Sequence, residues 1–299
     1  MIMYRVLLYY KYVRIENPEE FTARHLDLCE DLGLRGRILI AEEGINGTCS
    51  GTIESTEEYI QHMKSDIRFA DMEYKTDEVP DHVFKRMHVR CKKELVTFRL
   101  PEDIDPNKIS GKHLLPAQWL EKMLEGDVII LDGRTDYEFD LGHFRNAMRP
   151  QVRSFREFPD WVKNDFIRFK DKTILTYCTG GVRCEKLSGY LIKEGFTDVY
   201  QLHGGIINYS RDPEVKGRLF EGKCYVFDER ISVPVNFADK YTITGKCHHC
   251  GIPTDRYVNC ANLDCHLQHF ECAACEEKWA RSCSEECMQA LRHEILQNT

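Results

Sequence analysis

Nowhere in its 299 residues does this chain hold eighteen consecutive apolar residues, so no segment is predicted to cross a bilayer as a helix and no membrane partner is expected. A positive charge balance is also missing. The formal net charge of −8 excludes a general nucleic-acid coat, because phosphate contacts need positive potential, although local basic patches remain compatible with it. No Gly-x-Gly-x-x-Gly follows a strand-like run, which removes the flavin and nicotinamide fingerprint. Neither does a two-histidine, one-carboxylate spacing for non-haem iron stand out, with His82, His88 and His143 scattered along the chain. Internal repeats and low-complexity tracts are absent. The opening run, Met1 to Lys11, is too short and too interrupted to read as a signal peptide, so the expected location is the cytoplasm.

What the chain does have is an ordinary soluble composition, 42% hydrophobic and 30% charged, and enough length for two or three domains. It also has 14 cysteines, which in a reducing compartment point to metal or thiol chemistry rather than to disulfides. One of them, Cys178, ends the apolar run Thr173-Ile174-Leu175-Thr176-Tyr177. The loop Thr179-Gly180-Gly181-Val182-Arg183 follows, and then a helical stretch from Cys184 to Glu194. A cysteine at a strand-to-helix turn sits where amide N–H groups and the positive helix end stabilise a thiolate. Gly180 and Gly181 permit the strained dihedrals of an anion-binding nest, and Arg183 adds a full positive charge. Cys178 and Arg183 are therefore the candidate catalytic residues, with Thr179, Gly180, Gly181 and Val182 as the active-site loop.

The flanks of that loop resemble the rhodanese homology domain. Asp127 to Arg134 looks like its strand and Asp-x-Arg corner, and Tyr137-Glu138-Phe139 with Gly142-His143-Phe144 like its Tyr-Glu and Gly-His segment. Val199 to Ile206 is similar to its closing strand and Gly-Gly turn. Related phosphatases close a Cys-x5-Arg cradle around phosphate. Here the spacing is Cys-x4-Arg, which suits a smaller adduct, by resemblance a persulfide sulfur on Cys178. Asp132 and Arg134 read as a structural ion pair, and His143 as a turn histidine.

Around this centre the chain divides into four stretches. Residues 1–100 read as β-α-β-β-α-β, with helices over Pro18 to Leu32 and Glu54 to Ile67 and last strands over Met72 to Lys75 and Val89 to Phe98. This is a ferredoxin-like or acylphosphatase-like sandwich. Residues 101–116 carry loop-forming residues and read as a linker. Residues 117–215 alternate apolar strands with helices, the pattern of a mainly parallel α/β domain with its site at a strand's carboxyl end. Residues 216–299 begin with the aromatic-rich strand around Tyr225 and then become crowded with cysteine.

The late cysteines come in pairs: Cys247 and Cys250, Cys260 and Cys265, Cys272 and Cys275, Cys283 and Cys287. Eight thiolates suffice for two closed, structural zinc sites of four cysteines each, with sequential and alternate pairing both open. His248, His249, His266 and His269 are substitutes for a cysteine at one vertex. Two basic patches stand as RNA-binding candidates. One is Phe84, Lys85, Arg86, Arg90, Lys92 and Lys93; the other is Arg145, Arg149, Arg153 and Arg156.

Taken end to end, the chain resembles the rhodanese-domain tRNA uridine(34) hydroxylases. The matching segments are Gly36 to Thr48, His82 to Arg86, Lys92 to Glu94, Cys178 to Lys186, Cys224 to Arg230 and the terminal cysteine pairs. The resemblance implies oxygen-dependent conversion of the wobble uridine of tRNA to 5-hydroxyuridine, the first step towards 5-oxyacetyl or 5-methoxy uridines. It implies a persulfide-forming role for Cys178 and the tRNA anticodon loop as partner. No residue pattern identifies the oxygen-activating cofactor or the electron donor. The alternative activity is a sulfurtransferase carrying sulfane sulfur on Cys178, and a non-enzymatic RNA-binding or protein-binding scaffold is a third reading.

Overall fold

The computed structural model describes residues 3–295. Met1, Ile2 and residues 296–299 lie outside the described residues. The N-terminal unit runs β1 (Tyr4–Tyr12), α1 (Pro18–Asp31), β2 (Arg35–Ala41), β3 (Gly44–Thr52), α2 (Ile53–Ser65), β4 (Tyr74–Val79) and β5 (Met87–Cys91). Its five strands lie in the order β4-β1-β3-β2-β5, antiparallel except for β2 with β5. The run Val6-Leu7-Leu8-Tyr9-Tyr10 in β1 does not alternate because both faces of this sheet are covered. Leu7 and Tyr9 pack in one core with Cys29, Tyr59 and Met63 of the helices, while Leu8, Tyr10 and Tyr12 face the central domain.

Boundaries here differ from the expectation. Helix α2 opens at Ile53 because the Thr52 side chain caps the Ser55 amide at 3.1 Å. The fourth strand starts two residues late and runs on to Val79. The fifth ends at Cys91, well short of Phe98, whose amide bonds to Glu94 as the chain turns and buries Phe98 in the next core.

The central unit contains β6 (Lys112–Leu114), α3 (Pro116–Leu124), β7 (Val128–Asp132), α4 (Asp136–Leu141), β8 (Gly142–Phe144) and the short α5 (Phe158–Trp161). It continues with β9 (Thr173–Tyr177), α6 (Val182–Lys193), β10 (Val199–Leu202) and α7 (Gly205–Arg211). Strands β6, β10, β9 and β7 form a parallel sheet in that order. Strand β6 falls inside the stretch read as linker: its hydrogen-bonded register with Tyr200 to Leu202 makes it the sheet's edge. Helix α6 starts at Val182, two residues earlier than read, because Gly181 serves as its N-cap. Phe98, Phe158, Phe166, Ile174 and Leu187 fill one side of the sheet, and Trp119, Leu175, Tyr177 and Ile206 the other.

Beyond it, β11 (Phe220–Tyr225) joins β8 and β12 (Ser232–Pro234) in an antiparallel sheet, tying the C-terminal segment to the central unit. The cysteine-rich end holds β13 (Tyr257–Asn259), β14 (Gln268–Phe270), α8 (Ala273–Trp279) and α9 (Glu285–Met288). Among the described residues no helix is long and apolar enough to cross a membrane.

Candidate active site and cysteine-lined metal sites

Strand β9 delivers Cys178 to a loop whose geometry is set by glycine. Gly181 has φ +107°, and a Cβ there would stand 2.8 Å from the Tyr10 hydroxyl. Its amide donates to Cys178 Sγ at 3.2 Å. Gly205, at φ +69°, lets the start of α7 press against the loop, where the Ile206 and Ile207 amides take up the carbonyls of Cys178 and Thr179. With those carbonyls bound elsewhere, the amide side of the turn is left to the sulfur, as a nest requires.

Burial alone would raise the Cys178 thiol. The donating thiol of Cys184, the charge of Arg183 and the amides of Cys184 and Gly181 outweigh it and bring Cys178 down to about 6. Cys184 is pushed far up, first by burial and then by its anionic neighbour, so it stays protonated as a packed donor. Arg183 is held by Glu138, whose carboxylate accepts from both terminal nitrogens at 2.7 and 2.9 Å. The same carboxylate takes the Thr135 amide at 3.1 Å in the capping box of α4. Burial works to raise Glu138, but Arg183 keeps it down at about 2. Asp132 and Arg134 form a fully buried ion pair at 2.6 Å that also reaches the Gly142 carbonyl, a structural corner. His143 bonds to the Phe139 carbonyl and stacks on its ring, a turn histidine.

The outward face of the N-terminal sheet closes over this loop. Tyr10 donates to Glu185 at 2.8 Å and Tyr12 to the Val182 carbonyl at 3.2 Å. Glu185 also receives Ser110, His113 and Gln201. The fully buried Lys186 bridges Glu43 of the β2–β3 turn at 2.8 Å and Asp103 at 2.7 Å. Cys178 is consequently only 1% exposed. Sequence reasoning did not single out the residues of this closure, Lys75 among them. Lys75 of β4, paired in register with Leu8, is buried near Cys178 with its ammonium 5.4 Å from the Tyr10 ring. Among the described residues it has no ion pair. Burial lowers it to about 8, opposed by Glu73 and by the Cys178 charge. A lone lysine in a strand carries no motif, so only the fold reveals it.

Of the predicted RNA-binding residues, Lys85 and Arg86 line a cleft together with Arg37, His88, Tyr225 and the exposed Phe227. Phe227 stands 5.9 Å below the Arg183 guanidinium, so this cleft adjoins the Cys178 loop. Arg37, Tyr225 and Phe227 were not predicted. Phe84 lies at the cleft edge but is buried against Val6, Val79 and Val83, so it is no stacking platform. Arg90, Lys92 and Lys93 are exposed. The arginine series divides: Arg145 is bound to Glu221 at 2.9 Å and Arg149 to Asp140 at 2.7 Å, neutralised where the sequence suggested free charge. Arg153 and Arg156 are exposed.

The eight paired cysteines assemble in alternate fashion. Cys247, Cys250, Cys272 and Cys275 form one group, and Cys260, Cys265, Cys283 and Cys287 the other. A tetrahedral ion with bonds of about 2.3 Å to sulfur places its ligands roughly 3.8 Å apart. The observed separations are 3.7 Å for Cys250 and Cys272 and 3.6 Å for Cys265 and Cys283. The Cys272 and Cys283 amides each approach a sulfur at 3.5 Å, as charged thiolates favour. The donor sets therefore fit a thiophilic divalent metal.

Three family models match along the chain: the UPF0176 acylphosphatase-like domain at residues 4–95, the rhodanese-like domain at 116–212 and the rhodanase C-terminal domain at 221–288. The chain is 58% identical to a Bacillus licheniformis tRNA uridine(34) hydroxylase over 284 residues, covering 95% of this chain and 88% of the relative. It is 59% identical to the Bacillus velezensis protein of the same name, over 98% of this chain and 93% of that one. With the Bacillus mycoides protein of that name it shares 56% over 98% and 92%.

Proposed function

Because this chain belongs to the tRNA uridine(34) hydroxylase family, we propose that it hydroxylates C5 of the wobble uridine of tRNA in an oxygen-dependent reaction centred on Cys178. The supporting observation is a buried cysteine whose sulfur is stabilised as a thiolate by a loop amide and an arginine. C5 of uracil becomes electron-rich once a nucleophile adds at C6. Cys178 Sγ bonds to C6, and the C5=C6 pair moves through C5 onto O4 as an enolate. The Lys75 ammonium and the Arg183 charge favour that anion. C5 then takes one atom of dioxygen as hydroxyl, while the other leaves as water with two electrons from an external donor. Loss of the C5 proton and cleavage of the C6–S bond return the thiolate and the double bond. The net change is C5–H, dioxygen, two electrons and two protons to C5–OH and water.

The anticodon loop occupies the cleft of Arg37, Lys85, Arg86, His88, Tyr225 and Phe227, with phosphates on the cations and a splayed base against the aromatic rings. Two closed zinc ions hold the C-terminal module folded beside β11. The setting is the cytoplasm, where tRNA and reduced thiols coexist. The same amides suit the terminal sulfur of a Cys178 persulfide, which intact-protein mass spectrometry would reveal as one added sulfur. The test of the activity itself is reconstitution. Purified protein given unmodified tRNA, dioxygen and a reductant forms 5-hydroxyuridine at position 34, and Cys178→Ala abolishes it; product formed equally by Cys178→Ala overturns the nucleophile role.

A further inference from the structure

Beyond the two thiolate groups, the fold assembles a third set of ligating atoms that spacing along the chain conceals. His249 comes from the turn between Cys247 and Cys250, His269 from β14, and Glu271 from the residue before Cys272; their donor atoms lie within 4.8 Å of one another. His249 Nε2 is 3.3 Å from Glu271 Oε1, and His269 Nε2 is 3.7 Å from Glu271 Oε2. Glu271 is fully buried and His269 is 5% exposed. Neither carboxylate oxygen and neither ring nitrogen of His269 has a side-chain partner in hydrogen-bonding geometry, while the Leu267 backbone acts on the His269 ring as a hydrogen-bond acceptor.

Buried polar atoms are almost always satisfied, and a buried carboxylate facing two imidazoles that make no hydrogen bond to it is costly. Among the described residues no lysine or arginine pairs with Glu271. Bonds of about 2.0–2.2 Å from a divalent ion to nitrogen and oxygen set neighbouring donors roughly 3.0–3.5 Å apart. The observed 3.3 Å falls within that range, and 3.7 Å lies just beyond it. The ring of His249 is fixed by a parallel stack on Trp279, 4.3 Å between centroids. Its Nε2 also meets the Ser282 carbonyl at 2.9 Å, the contact that a cation at Nε2 replaces. His248 is a neighbour, but its Nε2 is taken by the Cys283 carbonyl at 3.0 Å.

We infer that His249, His269 and Glu271 form a third metal site, taking a divalent first-row transition ion through two imidazoles and one carboxylate. The site lies between the two cysteine groups, flanked by Cys247 and Cys272 of one and by Ser282 beside Cys283 of the other. Three protein ligands leave a position for water or a small ligand, unlike the closed thiolate sets. His269 also lines a surface cleft with Tyr137 and Arg153, on the side of the central domain that carries α4.

Cobalt(II) distinguishes the three sites, since thiolate ligands give intense charge-transfer absorption and imidazole or carboxylate ligands do not. Metal-free, reduced full-length protein is titrated anaerobically with cobalt(II), and bound metal is counted by equilibrium dialysis. Three ions per chain are expected, one binding without added charge-transfer intensity. Glu271→Gln and His269→Ala then bind two, with the charge-transfer band unchanged. Two ions in the wild-type chain, or three in both variants, overturn the site. Should a variant lose the charge-transfer band through misfolding, the wild-type count alone decides: three supports the site and two removes it.

Discussion

At the scale of residues, reactivity rests on two opposed titrations. Cys178 is brought down to about 6 and Lys75 to about 8, so thiolate and ammonium coexist only between those values. Below the lower one the sulfur is protonated, and above the upper one the lysine loses its charge. A bell-shaped kcat/KM profile with limbs near those values is expected from initial rates of 5-hydroxyuridine formation. Lys75→Met removes the alkaline limb and lowers kcat about tenfold or more, whereas a profile unchanged in shape shows that Lys75 has no part in the site. Arg183→Gln moves the acid limb upward, because a cation that favours the thiolate is gone. It also strands the buried Glu138, and urea unfolding should show a loss of about 3 kcal/mol. The loop around Cys178 was legible in the chain because strand, cysteine, double glycine and arginine are contiguous. Lys75 was not, and Glu138 stood out only as part of the Tyr-Glu segment with no link to Arg183, since each reaches the site from an element whose own sequence explains it adequately as strand or helix cap.

At the scale of elements, the decisive packing is the outer face of the N-terminal sheet against α6. The segment Cys184-Glu185-Lys186 stands out in the chain only as part of a motif, whereas in the fold it clamps the two units together. Glu185 gathers Tyr10, Ser110, His113 and Gln201, while Lys186 bridges Glu43 and Asp103. Lys186→Met leaves the carboxylates of Glu43, Glu94 and Asp103 facing an apolar side chain. The expected loss is about 3 kcal/mol of stability, with Cys178 alkylated by iodoacetamide several-fold faster as the sheet lifts. Equal alkylation rates in mutant and wild type would mean that this clamp does not guard the thiol. Helix and strand types in the first domain followed from hydrophobic pattern, but the ends did not. They depend on the Thr52 cap and on Glu94, whose bond to the Phe98 amide draws that residue out of the strand and into a neighbouring core. The role of Lys112 to Leu114 as a sheet edge was equally hidden, because three residues are too few to show a period.

At the scale of the whole molecule, three units converge on one thiol that solvent barely reaches. The cavity beside Thr179 has a volume of about 40 Å³, room for a water but not for a pyrimidine, so access for uridine requires the N-terminal sheet to move. The paired cysteines were readable from spacing, while their alternate partnership needed three dimensions, as did the convergence of Arg37, Lys85 and Arg86 with Tyr225 and Phe227. Replacing Arg37, Lys85 and Arg86 together by alanine should weaken tRNA binding and flatten its salt dependence, by about one unit of slope for each phosphate no longer neutralised. Filter binding across a salt series reads this directly, and an unaltered slope would place the RNA elsewhere.

The most direct test of Cys178-centred hydroxylation is mass spectrometry of tRNA nucleosides from a strain lacking this gene, complemented with wild type or with Cys178→Ala. 5-Hydroxyuridine and its derivatives should return with the wild-type gene and stay absent with the alanine variant. Equal restoration by both would contradict the catalytic assignment of Cys178, and unchanged nucleosides in the uncomplemented strain would contradict the hydroxylase itself.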